Sequence, residues 1–332
     1  MALIGGGLTV FPLLVALFLG FVPMFFFAAF IYWLDRYEKE PLFLLGAAFF
    51  WGVVVAAGGA FLINTSLGIG IYLFTGSEAA SEFGTTSIIA PFTEEFLKGL
   101  AVLFVFLMLR KEFDSILDGI IYAAIVALGF AATENTYYIY DYGFNESGWE
   151  GLWALAVVRV ILVGWQHPFY TSFTGIGFAL SRLNKNILLK IFVPILGFSA
   201  AVLTHAFHNT LGGLIGGFEG LAIGTLVDWS GWLIMFVFVL FMIYHERNLV
   251  RIHLQEEVDS GVITNANYIR ALSPITMSTA FLGGQSTRRY FQVCAELAHK
   301  KEQYKKIGNE AGNLAIIESL RRELATLRPY VN

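Results

Sequence analysis

Apolar residues run through this chain in blocks of about 20, each long enough to span a ~30 Å hydrocarbon core, and short polar or charged stretches separate the blocks. The pattern predicts an all-α polytopic membrane protein with about seven transmembrane helices. The first covers about Val10 to Leu34 and stops at the charged turn Asp35-Arg36-Tyr37-Glu38-Lys39-Glu40-Pro41. The second covers about Leu42 to Asn64, followed by a polar stretch, Thr65 to Thr85. The third is Thr86 to Leu109, stopped by Arg110-Lys111-Glu112. The fourth is about Ile116 to Tyr140, with a loop from Asp141 to Glu150 after it. The fifth, about Gly151 to Leu180, is long for one span and holds Pro168, so tilt, a kink or extension past the surface is expected. The sixth is about Ile191 to Ile215 and the seventh about Leu221 to Tyr244.

The remainder, His245 to Asn332, is polar and mixed in charge. Helix-like stretches near Arg288–Lys306 and Asn313–Leu327 predict a small helical hairpin there. The expected division is a membrane core, 1–244, and a tail, 245–332, read as a solvated appendage. An eighth span or re-entrant piece near Ile69–Phe74 is the alternative within the polar stretch.

Lys and Arg follow the first, third, fifth and seventh spans and are missing from the N-terminal end and from the loops after the second, fourth and sixth. The positive-inside rule then puts the N-terminus outside and the tail in the cytoplasm. An eighth span would break that alternation. Composition agrees with a multi-pass protein of the cell membrane: 57% of the 332 residues are hydrophobic and 14% charged, against roughly 25% charged in soluble domains. The first segment lacks a basic n-region and a small-residue cleavage site, so it reads as an uncleaved span. A single cysteine, Cys294, excludes an intramolecular disulfide framework and is expected as a reduced thiol. No nucleotide loop or nucleic-acid signature is present; the partners expected are the lipid bilayer and, from the chemistry below, a membrane-anchored protein.

The candidate chemistry lies inside the spans. Glu94-Glu95-Phe96-Leu97-Lys98 places two carboxylates and an ammonium in the third span, where a charge costs at least roughly 2.5–3.5 kcal/mol. Glu94 and Lys98 share a helix face, and Lys98 can neutralise one acid, leaving the other in need of a partner. By helical rise, Glu94 and Glu95 lie about 12 Å below the outer end of their span, Glu134 about 9 Å and His205 about 15 Å. His167, before Pro168, joins them and lies deeper if Gly151 is at the surface. One shared wet cavity accounts for these groups more simply than several isolated charges. A tuned glutamate can take a proton from water, while His205 and Asn209, at i and i+4, can donate to a developing oxyanion.

Glu94-Glu95-x-x-Lys98, Phe130-x-x-x-Glu134-Asn135, His167-Pro168 and His205-x-x-x-Asn209, in that order, resemble the motifs of the PrsW family of intramembrane proteases, within the CAAX-prenyl-protease/bacteriocin-processing superfamily. The turn Asp35-Arg36-x-Glu38-x-Glu40-Pro41 resembles that family's N-terminal signature. The resemblance covers about residues 30 to 215. It implies a glutamic-type peptidase that cuts a single-span anti-sigma factor near the outer membrane face, with Glu94 activating water beside Glu95, and His205 and Asn209 as oxyanion donors. Glu134 stands where prenyl proteases have a histidine, which leaves its role open among orienting a histidine, sharing a proton and binding a cation. No cofactor is expected on this reading.

Two alternatives remain. In a metal-dependent version of the same protease, Glu94, Glu134, His167 and His205, with Glu95 beside them, assemble a divalent site; the missing His-Glu-x-x-His pattern ranks it second. The other is a proton-coupled transporter using the same buried Glu/His chain, weakened by the lack of two similar halves. Bland roles are expected for the rest: His208 packs, Arg159 and Asp118 pair or reach the interface, and Asp228 is structural.

Overall fold

A computed structural model describes residues 5–37, 39–109, 113–215, 217–309 and 312–331. Glu38 of the first charged turn and the Arg110-Lys111-Glu112 stop lie outside the described residues. Those residues are helical almost throughout, with no strand among them. α1 is Gly5–Leu34. α2 (Leu42–Trp51) continues through a π-helical turn, Gly52–Ala56, into α3 (Ala57–Thr75). α4 (Glu78–Gly84) likewise passes through a π turn, Thr85–Ile89, into α5 (Ala90–Met108). α6 (Ile116–Tyr137) leads through the π segment Tyr138–Phe144 to α7 (Asn145–Ala156). A further π segment, Val157–Leu162, precedes a break and then α8 (Gln166–Arg182). α9 is Ile187–Ile215 and α10 is Gly217–Asp259. The tail adds α11 (Asn265–Ala271), α12 (Pro274–Thr279), α13 (Gln285–Ile307) and α14 (Asn313–Leu327).

By length and composition, five stretches are apolar enough to cross a membrane. One of them, Ile116–Arg182, holds more than one pass: Gly148 takes φ 63° inside α7, and the backbone of Gly151 packs on that of Gly143, so the chain doubles back. α5 is not among the five because Glu94, Glu95 and Lys98 interrupt it.

α6 is the central helix. From Gly119 to Ala132 it carries no charged residue on any side, and such a stretch is buried; α1, α2, α5 and α8 pack around it. Small residues let the backbones close up, the usual solution where lipid offers no hydrophobic drive. A Cβ placed on Gly175 of α8 would come 1.9 Å from the carbonyl oxygen of Gly119 on α6. The start of α6 is fixed by a capping box: the Ser115 hydroxyl accepts from Asp118 N–H, and the Asp118 carboxylate accepts from Ser115 N–H at 2.6 Å. Asp118 is thus a cap.

Several expected boundaries move. The helix begun at Leu42 runs to Thr75, so the Ile69–Phe74 piece belongs to its last two turns and forms no separate eighth or re-entrant segment. Ser66 and Thr75 satisfy their hydroxyls on the carbonyls of Leu62 and Ile71, which lets a polar stretch stay helical; Gly76, at φ 64°, ends it. The expected loop 141–150 is helical. The fifth segment breaks at 163–165, upstream of Pro168, which sits harmlessly in the first turn of α8.

α10 continues well past Tyr244 and carries the tail, which has a core of its own around Val250, Leu254, Phe291, Leu297 and Leu324. Tyr37, from the turn after α1, is buried in that core. Lys300 of α13 pairs with Asp114, just before α6. The tail is therefore docked on the loops at one end of the bundle and is larger than the expected hairpin. Cys294 is a free, buried thiol within it.

Candidate active site

The break at Val163–Trp165 interrupts backbone hydrogen bonding inside an apolar region. Non-helical backbone at membrane depth is tolerated where protein or a polar cavity lies beside it. Here it delivers His167 to the start of α8, facing the acids of α5. Glu95 and Lys98 are 0% exposed, Glu94 6%, His167 2% and His205 3%. Charges buried so completely need partners, and each is accounted for below.

Lys98 chooses Glu95: its ammonium lies 2.5 Å from Glu95 Oε1. The face shared by Glu94 and Lys98 does not become an ion pair. Thr171 donates to Glu95 Oε2 at 2.8 Å, and His205 Nδ1 donates to Glu95 Oε1 at 3.1 Å. That bond fixes the tautomer of His205 and turns Nε2 toward Glu94 Oε2, 3.7 Å away. Glu94 Oε2 is buried with no hydrogen-bond partner among the described residues. The surplus acid is therefore Glu94.

His167 holds the other side. Its Nε2 donates to Glu134 Oε2 at 2.8 Å, leaving Nδ1 to accept from Lys98 Nζ at 3.3 Å. Glu134 is in turn clamped by the Arg159 guanidinium, which also donates to Asn135 Oδ1 at 3.1 Å. Glu134 thus orients a histidine, one of the roles its position left open. The His167 and His205 rings stand nearly perpendicular with centroids 5.2 Å apart.

The structure gathers Glu94, Glu95, Glu134, His167 and His205 into one buried cluster. It does not bring Asn209 into it: the Asn209 carboxamide donates to the Thr86 carbonyl at 2.9 Å, anchoring α9 to the π turn before α5. His208 pairs with Asp228 at 3.0 Å, and Tyr170 donates to the same carboxylate at 3.3 Å while stacking on His205 at 4.9 Å. Asp228 is therefore partnered from two helices. Thr171 was missed by reading motifs alone, although i+4 from His167 puts it on the same face of α8. Arg159 is a pairing residue, as its position predicts, but its partner, Glu134, belongs to the site.

One ligand atom from each of Glu94, His167 and His205 lies within 4.8 Å of the other two. Two imidazoles and a carboxylate are a donor set used by catalytic divalent ions, which keep a further position open for water. Two of these ligands have carboxylate backing, His205 from Glu95 and His167 from Glu134, the outer support that metal-binding imidazoles use. With the unpartnered Glu94 oxygen, the residues present fit such an ion. Glu134, expected among the ligands, stands one bond outside the trio.

A sequence model described as "PrsW family intramembrane metalloprotease" matches residues 40–244, more than half of the chain. Curated proteins named "Protease PrsW" are similar over part of their length. The one from Geobacillus kaustophilus (strain HTA426) is 30% identical over 163 residues, 49% of this chain and 65% of that protein. The one from Bacillus subtilis (strain 168) is 29% identical over 53% of this chain and 75% of its own. The one from Clostridioides difficile (strain 630) is 32% identical over 49% of this chain and 67% of its own. No solved structure matches.

Proposed function

Because the chain belongs to the PrsW family of intramembrane proteases, we propose that it is a membrane-embedded endopeptidase that hydrolyses a peptide bond of a membrane-anchored protein, such as a single-span anti-sigma factor. The observation that carries this reading is the convergence of Glu94, His167 and His205 from α5, α8 and α9 on one buried point beside a broken helix. The family match favours a peptidase over the carrier alternative. Seven spans, with the N-terminus outside and the tail in the cytoplasm, remain the topology the charge pattern supports. It puts the cluster in the outer half of the bilayer, where a cut near the outer face is made.

The donor set favours the metal-dependent form. A divalent ion held by Glu94, His167 and His205 would supply a water of lowered pKa and polarise the scissile carbonyl. The chain itself does the rest. Glu95 locks the His205 tautomer, and Thr171 and Lys98 hold Glu95 still. Glu134, clamped by Arg159, orients His167. The Glu94 carboxylate sits at the reacting point with an oxygen free to bind a cation or take a proton. The contact of Lys98 with His167 supports a second, metal-free reading, since an ion and the ammonium compete for that imidazole. There Glu94 takes the proton of the attacking water unaided.

Purified protein in detergent, cleaving a single-span reporter, separates the two. Loss of turnover on treatment with a strong chelator, and its return with zinc or another divalent ion, is expected. Turnover indifferent to chelator but absent in Glu94→Gln supports the metal-free route. Full cleavage by a well-folded Glu94→Gln protein removes Glu94 from the mechanism altogether.

A further inference from the structure

A second pocket lies away from the Glu/His cluster, between the end of α1, the start of α2 and the tail helices α12 and α13. Its volume is ≈ 360 Å³. Three cations line it: Arg36 and Lys39 from the turn after α1, and Arg288 from α13. Among the described residues none of the three lies within 4 Å of a carboxylate. Arg36 stacks over the Trp33 ring at 4.0 Å, and its Nε is buried without a hydrogen-bond partner. Lys39 donates to the Tyr32 carbonyl and covers that ring at 4.1 Å. Burial, with the Arg288 and Arg36 charges beside it, holds the Lys39 ammonium below the ordinary lysine range although Asp35 pulls the other way.

Concentrating like charge in a half-enclosed pocket is unfavourable unless an anion is to be met there. Guanidinium forks match the oxygens of a phosphate. The neighbouring walls say how that phosphate is presented. Trp33 is 48% and Leu42 64% exposed, and both are apolar residues at the ends of helices long and apolar enough to cross a membrane, where an exposed apolar face suits acyl chains. A charged pocket opening onto an acyl-chain surface has the amphipathic shape of a phospholipid at the bilayer edge.

We propose that this pocket binds the phosphate headgroup of an anionic phospholipid, with Arg36, Lys39 and Arg288 on the phosphate and the acyl chains along Trp33 and Leu42. Because Arg288 belongs to the tail and Arg36 to the core, the bound lipid joins the two. The inference stands apart from the peptidase reading and uses no residue of the Glu/His cluster.

The test is native mass spectrometry and thermal unfolding of the full-length protein in detergent, titrated with phosphatidylglycerol, with phosphatidylcholine and with inorganic phosphate. Phosphatidylglycerol is expected to bind and raise the unfolding temperature at least tenfold more effectively than phosphatidylcholine. Each cation removed should cost about fivefold in affinity, so Arg36→Gln/Arg288→Gln should lose roughly thirtyfold and its preference for the anionic lipid. In the unaltered protein that preference should shrink as salt is raised, which keeps the proposal testable should the double variant misfold. Equal binding of the two lipids, or a preference untouched by both salt and substitution, overturns it. A full shift from inorganic phosphate alone, with nothing added by phosphatidylglycerol, overturns the lipid as ligand.

Discussion

Glu94 and Glu95 are neighbours in sequence and have opposite relations to the fold, so replacing each by Gln should separate activity from stability. Glu95 is 0% exposed, with Lys98 and His205 on one oxygen and Thr171 on the other. Glu95→Gln leaves the Lys98 ammonium buried without its counter-charge and turns a carboxamide toward donors. Removing one partner of a buried pair costs about 3–5 kcal/mol. At a few degrees per kcal/mol, the unfolding temperature should fall by roughly 10 °C. Glu94 Oε2 has no hydrogen bond to lose among the described residues and only the His205 imidazole 3.7 Å away, so in the presence of chelator Glu94→Gln relieves a surplus charge and should cost far less than Glu95→Gln or raise stability. Both variants should fail to cut a co-expressed single-span substrate, Glu94→Gln while accumulating normally and Glu95→Gln with reduced accumulation. Thermal unfolding in detergent and reporter cleavage supply the two readouts. Equal stability of the two variants, or a destabilised Glu94→Gln beside a stable Glu95→Gln, refutes the division of labour.

Thr171→Val keeps the shape of the side chain and removes one hydrogen bond to the Glu95 carboxylate; it should cost about 1.5–3 kcal/mol of stability, read by thermal unfolding, and slow cleavage without abolishing it. Gly175→Ala forces a methyl against the Gly119 carbonyl and should cost about 1–3 kcal/mol or block accumulation, whereas Gly58→Ala, with nothing within 4 Å of its added Cβ, should be near neutral in the same unfolding assay. Although burial opposes it, the Lys300 charge holds the Asp114 carboxyl down at about 2. A depressed folded-state pKa gives stability that is present above the unfolded value near 3.8 and lost as pH falls from about 4 to 2. The amount is about 2 kcal/mol, and denaturant midpoints across that window should flatten in Asp114→Asn.

Charge inside long apolar runs is what made the candidate site legible. Glu94, Glu95, Glu134, His167 and His205 stand out of apolar runs because membrane burial penalises them, and that penalty survives without any contact information. Helix ends were less legible for the same reason. A span apolar on all sides has little polar contrast to mark where it stops, so the break at 163–165, made of Val163, Gly164 and Trp165, is invisible to periodicity. Asn209 shows the limit of spacing arguments. It shares a face with His205, but one turn is about 5.4 Å along the axis, enough to carry its carboxamide past the cluster to Thr86. There the π turn offers it a carbonyl. The tail core depends on long-range pairing of Tyr37 with residues more than two hundred positions on, which no local pattern encodes.

The charge balance of the cluster points to what it lacks. Glu94, Glu95 and Glu134 bring three negative charges, and Lys98 and Arg159 two positive ones, so with neutral imidazoles the sum is −3 + 2 = −1. A net charge in the bilayer interior is costly, and a proton or a cation on Glu94 removes it. Lys98→Met distinguishes these. It raises the deficit to −2 and frees both Glu95 and the Nδ1 of His167 from the ammonium, so the variant should be unstable in chelator and recover with a divalent ion. At a hundredfold excess over its dissociation constant an ion contributes about 2.7 kcal/mol, which should raise the variant's unfolding temperature by several degrees and the parent's by less. Adding Glu94→Gln should remove the effect. An unfolding temperature indifferent to the ion in both the parent and Lys98→Met would leave the proton as the counter-charge and the metal-free route as the mechanism.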